Sequence, residues 1–421
     1  MKVAIVGGGI GGMTLALSLL DAGIADVNIY ESAPRVEELG VGINVLPHAV
    51  RELSELGLLD DVSGVGISTD GWLLYSKHGQ QIWSEPRGLA AGYRWPQLSI
   101  HRGQLLGVLH RAVRDRLGRE HVHTGHHLVR FGQGTSGVWG ECIERRSGAS
   151  LGHIEADLLV GCDGVHSVVR RAQYPDEGPP KWNGITMWRG VTEAASLLSG
   201  RTMITAGYFG RHIVVYPISK AYENQGRALL NWNTNVKTAD DQPMSPQDWD
   251  HTARLEDAIA PFASYVFDFL DVPALIRGAK VIYQYPMVDR DPLPTWNFGR
   301  VTLLGDAAHP MYPIGANGAS QAIIDARVLA HELALQQSVE AAVAAYDAER
   351  RPATAAVVWA NRGLGPLEVL QIVEHRAPNG FTNLDDIISS QELQRIATTY
   401  KGTAGFDAEL LNNRPSLSVP R

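Results

Sequence analysis

The first thirty residues consist of apolar runs separated by a glycine-rich turn. Lys2 to Val6 is a short continuous apolar run, Met13 to Gly23 carries leucines and alanines at helical spacing, and Val27 to Glu31 is a second short run. This pattern predicts a strand, a helix ended by Gly23 and a second strand. The chain is therefore predicted to begin with a βαβ unit.

The pattern changes twice further along the chain. The next predicted elements are two helices, at 47–58 and 102–117, and a buried strand at 154–163. A block of short β-rich runs at 184–285 indicates a mixed sheet, and two late helices are predicted at 319–335 and 339–362. An apolar strand starting at Val301 precedes the late helices. The first domain is thus predicted to be discontinuous in sequence, with a mixed sheet inserted between its two parts.

The last part of the chain carries weaker signals. Tyr346, Glu349 and the run Arg350-Arg351-Pro352 indicate a solvated helix face and its terminus. Beyond about residue 365 the periodicity is weak, and Pro378-Asn379-Gly380 predicts a turn. We therefore expect an irregular tail.

Composition and charge exclude several classes of protein. The 421 residues suffice for a buried core and two or three domains, and a formal net charge of −8 offers no basic face to nucleic acid or anionic lipid. Cys142 and Cys162 are too far apart for a redox pair or a zinc site, and the histidines of 121–127 have no carboxylate or cysteine partner in the pattern. We expect a cytoplasmic protein, monomeric or homodimeric, without a metal or a membrane-spanning segment.

The glycines after the first predicted strand have the spacing of a dinucleotide-binding turn. Gly7 makes the turn, Gly9 lets a pyrophosphate approach and Gly12 lets the helix meet the strand, as the pattern G-x-G-x-x-G requires. Glu31 ends the next strand, where a carboxylate accepts hydrogen bonds from ribose hydroxyls and repels a 2′-phosphate. The sequence therefore predicts bound FAD or NAD rather than NADP.

A second strand end, about 300 residues later, offers a similar site. The apolar strand that starts at Val301 stops at Gly305-Asp306, and a proline- and glycine-rich loop, 309–318, opens the next helix. Asp306 offers a carboxylate to a ribose-type hydroxyl, and the amides of 316–319 would stabilise the N1/C2 carbonyl edge of a reduced flavin. Two such termini indicate one long nucleotide gripped at both ends, and FAD has that length.

Several motifs in one order make the chain resemble a known family. GGGIGG at 7–12, GVGIN at 40–44, HRGQL at 101–105, GCDGVHSVVR at 161–170 and LLGDAAHPMYPIGANGASQ at 303–321 are similar to those of the single-component, group A FAD-dependent aromatic monooxygenases. GITMWRGVTE at 184–193 and YPMVDRDPLP at 285–294 resemble 5-methylphenazine-1-carboxylate 1-monooxygenases, with salicylate and 3-hydroxybenzoate hydroxylases more distant.

The resemblance implies an α/β fold with a Rossmann-like FAD-binding domain of the p-hydroxybenzoate hydroxylase type, formed by 1–180 and 286–365. A mixed β-sheet substrate domain, 181–285, is inserted in it, and C-terminal helices lead to a tail, 366–421. The implied cofactor contacts are Gly7, Gly9, Ile10, Gly11, Gly12, Glu31, Val41, Gly42, Arg102, Leu128, Asp163, Asp306, Gly318 and Ala319. A flavin-edge loop that positions the reactants is implied at Pro313, Gly315, Ala316 and Asn317, with no general base assigned.

More than one interpretation stays open for several candidate residues. Asp163 can contact the nucleotide or simply cap a helix N-terminus. Arg189 can anchor a carboxylate, contact the flavin or form a surface salt bridge. The remaining substrate candidates are residues of the β-rich block that can equally form core, and the loop proline, namely Trp188, Tyr208, Tyr216, Trp232 and Pro313.

The resemblance implies hydroxylation of an aromatic or N-heteroaromatic ring, such as a phenazine carboxylate or a hydroxybenzoate. Because the chain has one dinucleotide fingerprint, NADH or NADPH must reduce FAD transiently, after which a flavin C4a-hydroperoxide would transfer oxygen from O₂. Attack at a carbon that bears a carboxylate would expel CO₂. A FAD-dependent reductase or dehydrogenase that does not activate O₂, and a non-catalytic flavin-binding protein, are the alternatives.

Overall fold

A computed structural model describes residues 1–35, 40–238 and 251–419 of the chain. Its strands are β1 Lys2–Val6, β2 Asp26–Glu31, β3 Gly42–Val45, β4 Ile67–Thr69, β5 Gly71–Tyr75, β6 Gln81–Pro86, β7 Gln97–His101, β8 Val122–Thr124, β9 His126–Gln133, β10 Val138–Glu144, β11 Ser150–Ala156, β12 Leu158–Gly161, β13 Lys181–Ala195, β14 Thr202–Tyr208, β15 Arg211–Pro217, β16 Arg227–Lys237, β17 His251–Thr252, β18 Val266–Phe267, β19 Leu270–Asp271, β20 Ile282–Asp289 and β21 Val301–Leu303. Its α-helices are α1 Ile10–Asp21, α2 Pro47–Glu55, α3 Leu59–Val65, α4 Arg102–Arg116, α5 Val168–Gln173, α6 Lys220–Glu223, α7 Leu255–Ile259, α8 Val272–Arg277, α9 Gly318–Leu335, α10 Val339–Arg362, α11 Glu368–Arg376, α12 Ser390–Ala404 and α13 Ala408–Asn413. Within these described ranges, no helix combines the length and the apolar character needed to cross a bilayer.

Five strands form a parallel sheet in the order β21-β12-β1-β2-β8. The strands β1, β12 and β21 are buried almost throughout, and α1 packs against both α4 and α9. Continuous apolar runs of this kind are typical of parallel strands covered on both faces. The predicted α/β fold and the predicted βαβ unit are confirmed, and the carboxyl ends of β1, β12 and β21 meet at one edge of the sheet.

The predicted single strand at 154–163 is wrong. The chain forms β11, antiparallel to β10, and then β12, parallel to β1. The two strands are separated at Asp157, whose carboxylate accepts a hydrogen bond from the backbone N–H of Lys2 at 2.7 Å. The end of β11 and the start of β12 are separated by one residue only, so the pattern alone shows no break between them.

The mixed sheet has eight strands in the order β17-β20-β13-β16-β15-β14-β5-β6. All neighbours are antiparallel except β5, which lies parallel to β14. The mixed sheet exists as predicted, but β5 and β6 come from residues 71–86, which the sequence placed in the nucleotide domain. A parallel partner more than a hundred residues away leaves no local signal, since only the fold brings the two strands together.

The interpretation of Tyr346 and Arg350 as a solvated helix face is wrong. Both side chains are buried: the Tyr346 hydroxyl donates to the Leu303 carbonyl oxygen at 3.0 Å, and Arg350 Nε donates to Asp325 Oδ1 at 2.7 Å. Pro352 lies inside α10 instead of ending it. Buried charged residues are rare unless they are paired, so a run of two arginines and a proline favoured the wrong interpretation.

The expected irregular tail contains three helices, α11, α12 and α13. The sequence carries the signal for α12, because Leu393, Ile396 and Tyr400 are buried at helical spacing and the Ser389 hydroxyl caps the N–H of Glu392. The predicted turn at 378–380 lies between α11 and α12. The C-terminal segment is therefore an ordered layer over the mixed sheet, and it reaches the site described next.

Candidate active site

The chain turns sharply from β1 into α1 at the edge of the parallel sheet. Gly7 has a φ of +109°, and a Cβ on it would lie 2.4 Å from the Cys162 carbonyl oxygen. A Cβ on Gly12 would lie 2.0 Å from the Gly7 carbonyl oxygen, whereas one on Gly9 would meet no atom within 4 Å. No side chain caps α1 at Gly9, so its first amides can bind an anion that approaches through the open space at Gly9.

Glu31 lies beside this turn, at the carboxyl end of β2. Its Oε2 accepts a hydrogen bond from the backbone N–H of Gly8, and its Oε1 accepts one from Ala33, both at 2.7 Å. Oε1 also accepts a hydrogen bond from the Ser32 hydroxyl at 3.2 Å, so the open acceptor position is on Oε2. The carboxylate is thus held in place and can still accept a hydroxyl group.

One cavity of about 430 Å³ extends from the glycine turn to the mixed sheet. This volume is within the usual range for small-molecule sites. Of the residues predicted from the sequence, those that line it are Gly9, Ile10, Gly11, Gly42, Arg102, Arg189, Tyr216, Asp306, Pro313, Gly315, Ala316, Gly318 and Ala319. The carboxyl ends of β1 and β21 and three of the predicted substrate residues, Arg189, Tyr216 and Pro313, therefore lie around one cavity.

Asp306 faces this cavity from the turn that follows β21. Its side chain is accessible from the cavity and makes no hydrogen bond to a described residue. Protein surrounds it on the other sides, and this desolvation raises the pKa of its carboxyl group, an effect that His309 and Arg102 partly offset. A carboxylate at a strand end with open acceptor positions suits a ligand that brings hydroxyl groups.

The loop before α9 has an unusual backbone. Gly315 has a φ of +70° and Ala316 a φ of +58°, and the left-handed region is costly for alanine. The chain then enters α9 at Gly318 without a side-chain cap, so the amides of Gly318 and Ala319 point out of the helix terminus. Strain of this kind clusters at ligand sites, and these amides can stabilise negative charge.

Tyr400 of α12 fixes this loop through hydrogen bonds of its hydroxyl group. Its hydroxyl accepts a hydrogen bond from Asn317 Nδ2 at 2.9 Å and lies 2.7 Å from Asn361 Oδ1 and 3.1 Å from the Ile314 carbonyl oxygen. A Cβ on Gly315 would lie 2.0 Å from the same hydroxyl, so only glycine lets the loop pass. Burial raises the pKa of Tyr400 and keeps it protonated. The C-terminal segment thus fixes the loop.

Replacing Tyr400 with phenylalanine should lower the free energy of unfolding by about 2 kcal/mol, because the buried amides of Asn317 and Asn361 would lose their shared partner. Chemical denaturation of the purified variant measures this change. Tyr283→Phe, at a partly buried position on β20, is the matched control and should change stability by less than about 0.5 kcal/mol. Equal stability of the two variants would contradict the assigned role.

His212 reaches the cavity from β15. The side chain is only 2% exposed, and its Nδ1 lies 3.1 Å from the Phe209 carbonyl oxygen, so in the neutral ring Nδ1 carries the proton and Nε2 is the basic nitrogen. Burial lowers the pKa of His212 to about 4. The imidazole is therefore neutral at pH 7, and it can accept a proton from a molecule in the cavity.

Arg189 and Tyr216 enter the same cavity from β13 and β15. Arg189 Nη2 and the Tyr216 hydroxyl both donate to the Gly42 carbonyl oxygen, at 2.8 Å and 2.9 Å. The backbone N–H of Gly42 in turn donates to Asn231 Oδ1 at 2.7 Å. These bonds connect β3, which begins at Gly42, to the mixed sheet. Among the described residues, no carboxylate forms a salt bridge with Arg189, which leaves the other two interpretations for this residue.

The structure places three of the predicted substrate residues elsewhere. Trp188 and Trp232 lie on the face of the mixed sheet opposite the cavity, where Trp232 is fully buried and its Nε1 donates to Thr192 Oγ1 at 3.1 Å. Tyr208, at the end of β14, stacks with Arg211 instead of lining the cavity. Because side chains alternate along a strand, Arg189 faces the cavity and its neighbour Trp188 faces away.

The remaining predicted contacts lie near the cavity or in the core. Asp163 accepts hydrogen bonds from the Ser167 hydroxyl and the Val168 N–H, as expected for the capping interpretation, while its neighbours Cys162 and Gly164 line the cavity. Leu128 is buried against Gly140 in the core of the first domain. Gly7, Gly12, Glu31, Val41 and Asn317 lie behind the lining and support it.

Several lining residues were missed by the sequence analysis. Asn233 and Asn235 of β16 and His212 of β15 line the cavity. The run RALLNWNTNVK carries asparagine at every second position, at 231, 233 and 235, which is a period-two polar face and could have revealed the cavity side of β16. The charged residues Glu85, Arg87 and Lys401 also line the cavity, and no local pattern indicates them.

The sequence is similar to characterised flavoproteins over most of its length. Residues 1–262 and 282–361 match the family described as FAD binding domain. A phenazine 1,6-dicarboxylic acid hydroxylase, PhzS, from Lysobacter antibioticus is 46% identical over 86% of this chain and 89% of its own. The 3-hydroxybenzoate 6-hydroxylase 1 of Aquipseudomonas alcaligenes is 31% identical over 85% and 86%, respectively.

Solved structures share the fold. A salicylate hydroxylase in a substrate complex superposes with a TM-score of 0.73 at 24% identity, covering 99% of both chains. Klebsiella pneumoniae HpxO, solved with FAD and uric acid, gives a TM-score of 0.73 at 23% identity, with 96% of both chains covered. The architecture of parallel sheet, mixed sheet and C-terminal helices is therefore that of FAD-binding hydroxylases.

The chain belongs to the FAD-dependent aromatic hydroxylases of group A. It is an FAD-dependent aromatic monooxygenase, and this excludes the non-catalytic and the O₂-independent alternatives. The open space at Gly9, the uncapped α1 and α9, and the unbonded Asp306 carboxylate fit a dinucleotide that carries a pyrophosphate and hydroxyl groups.

Proposed function

We propose that this enzyme hydroxylates a carboxylated phenazine or a related N-heteroaromatic ring, using NAD(P)H and O₂. The observation that carries the proposal is the single cavity that joins the two strand ends to the buried His212 and to Arg189 on the mixed sheet. The 46% identity to a phenazine 1,6-dicarboxylic acid hydroxylase supports this choice of ring. A hydroxybenzoate is the second candidate, supported by more distant relatives.

In this proposal FAD occupies the part of the cavity next to the parallel sheet. The amides of 9–12 bind its pyrophosphate, Glu31 binds the adenosine ribose, and Asp306 accepts a ribityl hydroxyl. Arg102 lies on the cavity wall near Asp306 and interacts with the phosphate or ribityl region. The amides of Gly318 and Ala319 stabilise the charge of the reduced ring.

When bound, FAD supplies the activation of O₂ after NAD(P)H has reduced it. The chain's own task is to orient the aromatic ring and to exclude water. Pro313 and the strained residues Gly315 and Ala316 form one wall of the reaction space, and Tyr400 keeps that wall fixed. Arg189 and Tyr216 hold the Gly42 carbonyl on the opposite side.

His212 supplies a proton acceptor in this space. Hydroxylation at a C–H position releases the ring proton, and Nε2 of the neutral imidazole is the acceptor for it. Hydroxylation at a carbon that bears a carboxylate releases CO₂ instead, so no ring proton has to be removed. The dependence of the reaction on His212 therefore distinguishes the two types of hydroxylation.

A substrate panel tests the proposal. Phenazine-1-carboxylate, phenazine-1,6-dicarboxylate, salicylate and 3-hydroxybenzoate are each added to the FAD-loaded enzyme with NADH or NADPH in air. We expect at least one phenazine carboxylate to stimulate NAD(P)H consumption and to give a product heavier by about 16 mass units, or lighter by about 28 if CO₂ is lost. Turnover of only the monocyclic acids would contradict the phenazine assignment.

A further inference from the structure

A charged cluster in the cavity wall has no task in the reaction described above. It consists of Glu85 on β6, Arg87 just after β6 and Lys401 on α12, and all three residues line the cavity. Arg87 Nη2 lies 2.9 Å from Glu85 Oε2, and Lys401 Nζ lies 2.5 Å from Glu85 Oε1. One carboxylate thus holds two cations, and the cluster carries a net charge of +1.

Arg87 is positioned to bind a further group. It is only 8% exposed, its guanidinium stacks 4.7 Å from the ring centroid of Trp72, and its buried Nε has no hydrogen-bond partner. The Trp72 ring also lines the cavity, and its Nε1 donates to Thr205 Oγ1 at 2.9 Å. A fixed guanidinium beside an aromatic wall matches an aromatic ring that bears an acidic substituent.

The charge balance favours an anion. A buried charge without a partner costs several kcal/mol, so an excess cation in a cavity wall is stabilised when an anion arrives. Of the two other arginines on the cavity wall, Arg189 already donates to the Gly42 carbonyl oxygen, and Arg102 lies near the carboxylate of Asp306. Two cations with one shared carboxylate therefore form the stronger anion site.

We propose that Arg87 and Lys401 bind a carboxylate of the substrate and thereby select carboxylated rings. This inference rests on the proposed function and names the part of the enzyme that recognises the acid group. Lys401 directly follows Tyr400, whose hydroxyl contacts the flavin-edge loop, so the acid group lies on the side of the cavity closed by α12. The C-terminal segment then contributes to specificity as well as to stability.

Binding without turnover tests this inference. Phenazine-1-carboxylate and phenazine-1-carboxamide are titrated into the FAD-loaded enzyme in the absence of NAD(P)H, and the change in flavin absorption gives each Kd. We expect wild type to prefer the carboxylate by roughly 30-fold. Lys401→Met and Arg87→Met should weaken carboxylate binding by a similar factor and leave carboxamide binding within about twofold.

Controls separate this role from others. Lys280→Met removes one exposed cation far from the cavity wall and should change neither Kd. Arg87→Lys, which retains the charge, should restore part of the preference. If the Arg87 and Lys401 variants lose affinity equally for both probes, the cluster has a purely structural role and the inference is overturned. It is also overturned if Arg189→Met loses the preference for the carboxylate while the Arg87 and Lys401 variants keep it. Failure of wild type to bind either probe also counts against it.

The outcome is distinct from that of the substrate panel. An enzyme that discriminates the two probes but gives no hydroxylated product retains the anion site and loses the proposed function. An enzyme that hydroxylates phenazines without preferring the carboxylate retains the function and loses the anion site.

Discussion

Replacing Asp306 with alanine should yield a nearly colourless protein. The carboxylate faces the cavity at the end of β21 and is available to hydroxyl groups of FAD. Loss of charge-assisted hydrogen bonds at this position should weaken FAD binding roughly 100-fold. The ratio of flavin to protein absorbance after purification, and titration of the apoprotein with FAD, measure the change.

Loss of FAD from this variant should not reflect unfolding. The Asp306 side chain is open to the cavity and makes no hydrogen bond to a described residue, so its removal should leave the stability of the apoprotein nearly unchanged. Asp26→Ala, an exposed position at the far end of β2, makes the same charge change and should purify with full flavin. A fully yellow Asp306→Ala protein would remove Asp306 from the FAD site.

Replacing His212 with glutamine should lower kcat roughly 100-fold for hydroxylation at a C–H position, while FAD stays bound. For a decarboxylating hydroxylation the loss should be less than about fivefold, because no ring proton is removed. His375→Gln, an exposed histidine on α11, is the matched control. A full rate of C–H hydroxylation in His212→Gln would show that another group accepts the proton.

The same histidine gives a stability test with a defined sign. Its pKa in the folded protein is about 4, below the ordinary value of 6.5, so between these values the unfolded chain binds a proton that the folded protein does not. The stability contribution is therefore present above pH 6.5 and is lost as the pH falls towards 4. Thermal melts at pH 7 and pH 5 should show a larger decrease for wild type than for His212→Gln.

The sequence predicted those parts of the site that depend on local backbone chemistry. The turn at Gly7, Gly9 and Gly12 and the strand end at Asp306 are short motifs, and each folds as its own residues dictate. The cavity side of the mixed sheet depends instead on strand register, which decides that Arg189 faces the cavity and Trp188 does not. The residue type at a single position of β13 does not predict which face of the sheet its side chain occupies.

The remaining residues come together only through long-range packing. Glu85 and Lys401 are more than three hundred positions apart, and their contact forms only after β6 joins the mixed sheet and α12 covers it. Arg350 was misjudged for the same reason, since its partner Asp325 lies on another helix. Such pairs have no spacing rule, so a single sequence cannot reveal them.

The parallel pairing of β5 with β14 has a consequence for how the molecule is assembled. The mixed sheet takes its last two strands from the N-terminal third of the chain, so neither domain can be cut out as one continuous fragment. Contacts of such high sequence separation slow folding. In a newly made N-terminal third, β5 can pair with β6, but its other edge lacks its partner β14 until synthesis has passed residue 208. An open strand edge of this kind is prone to aggregation.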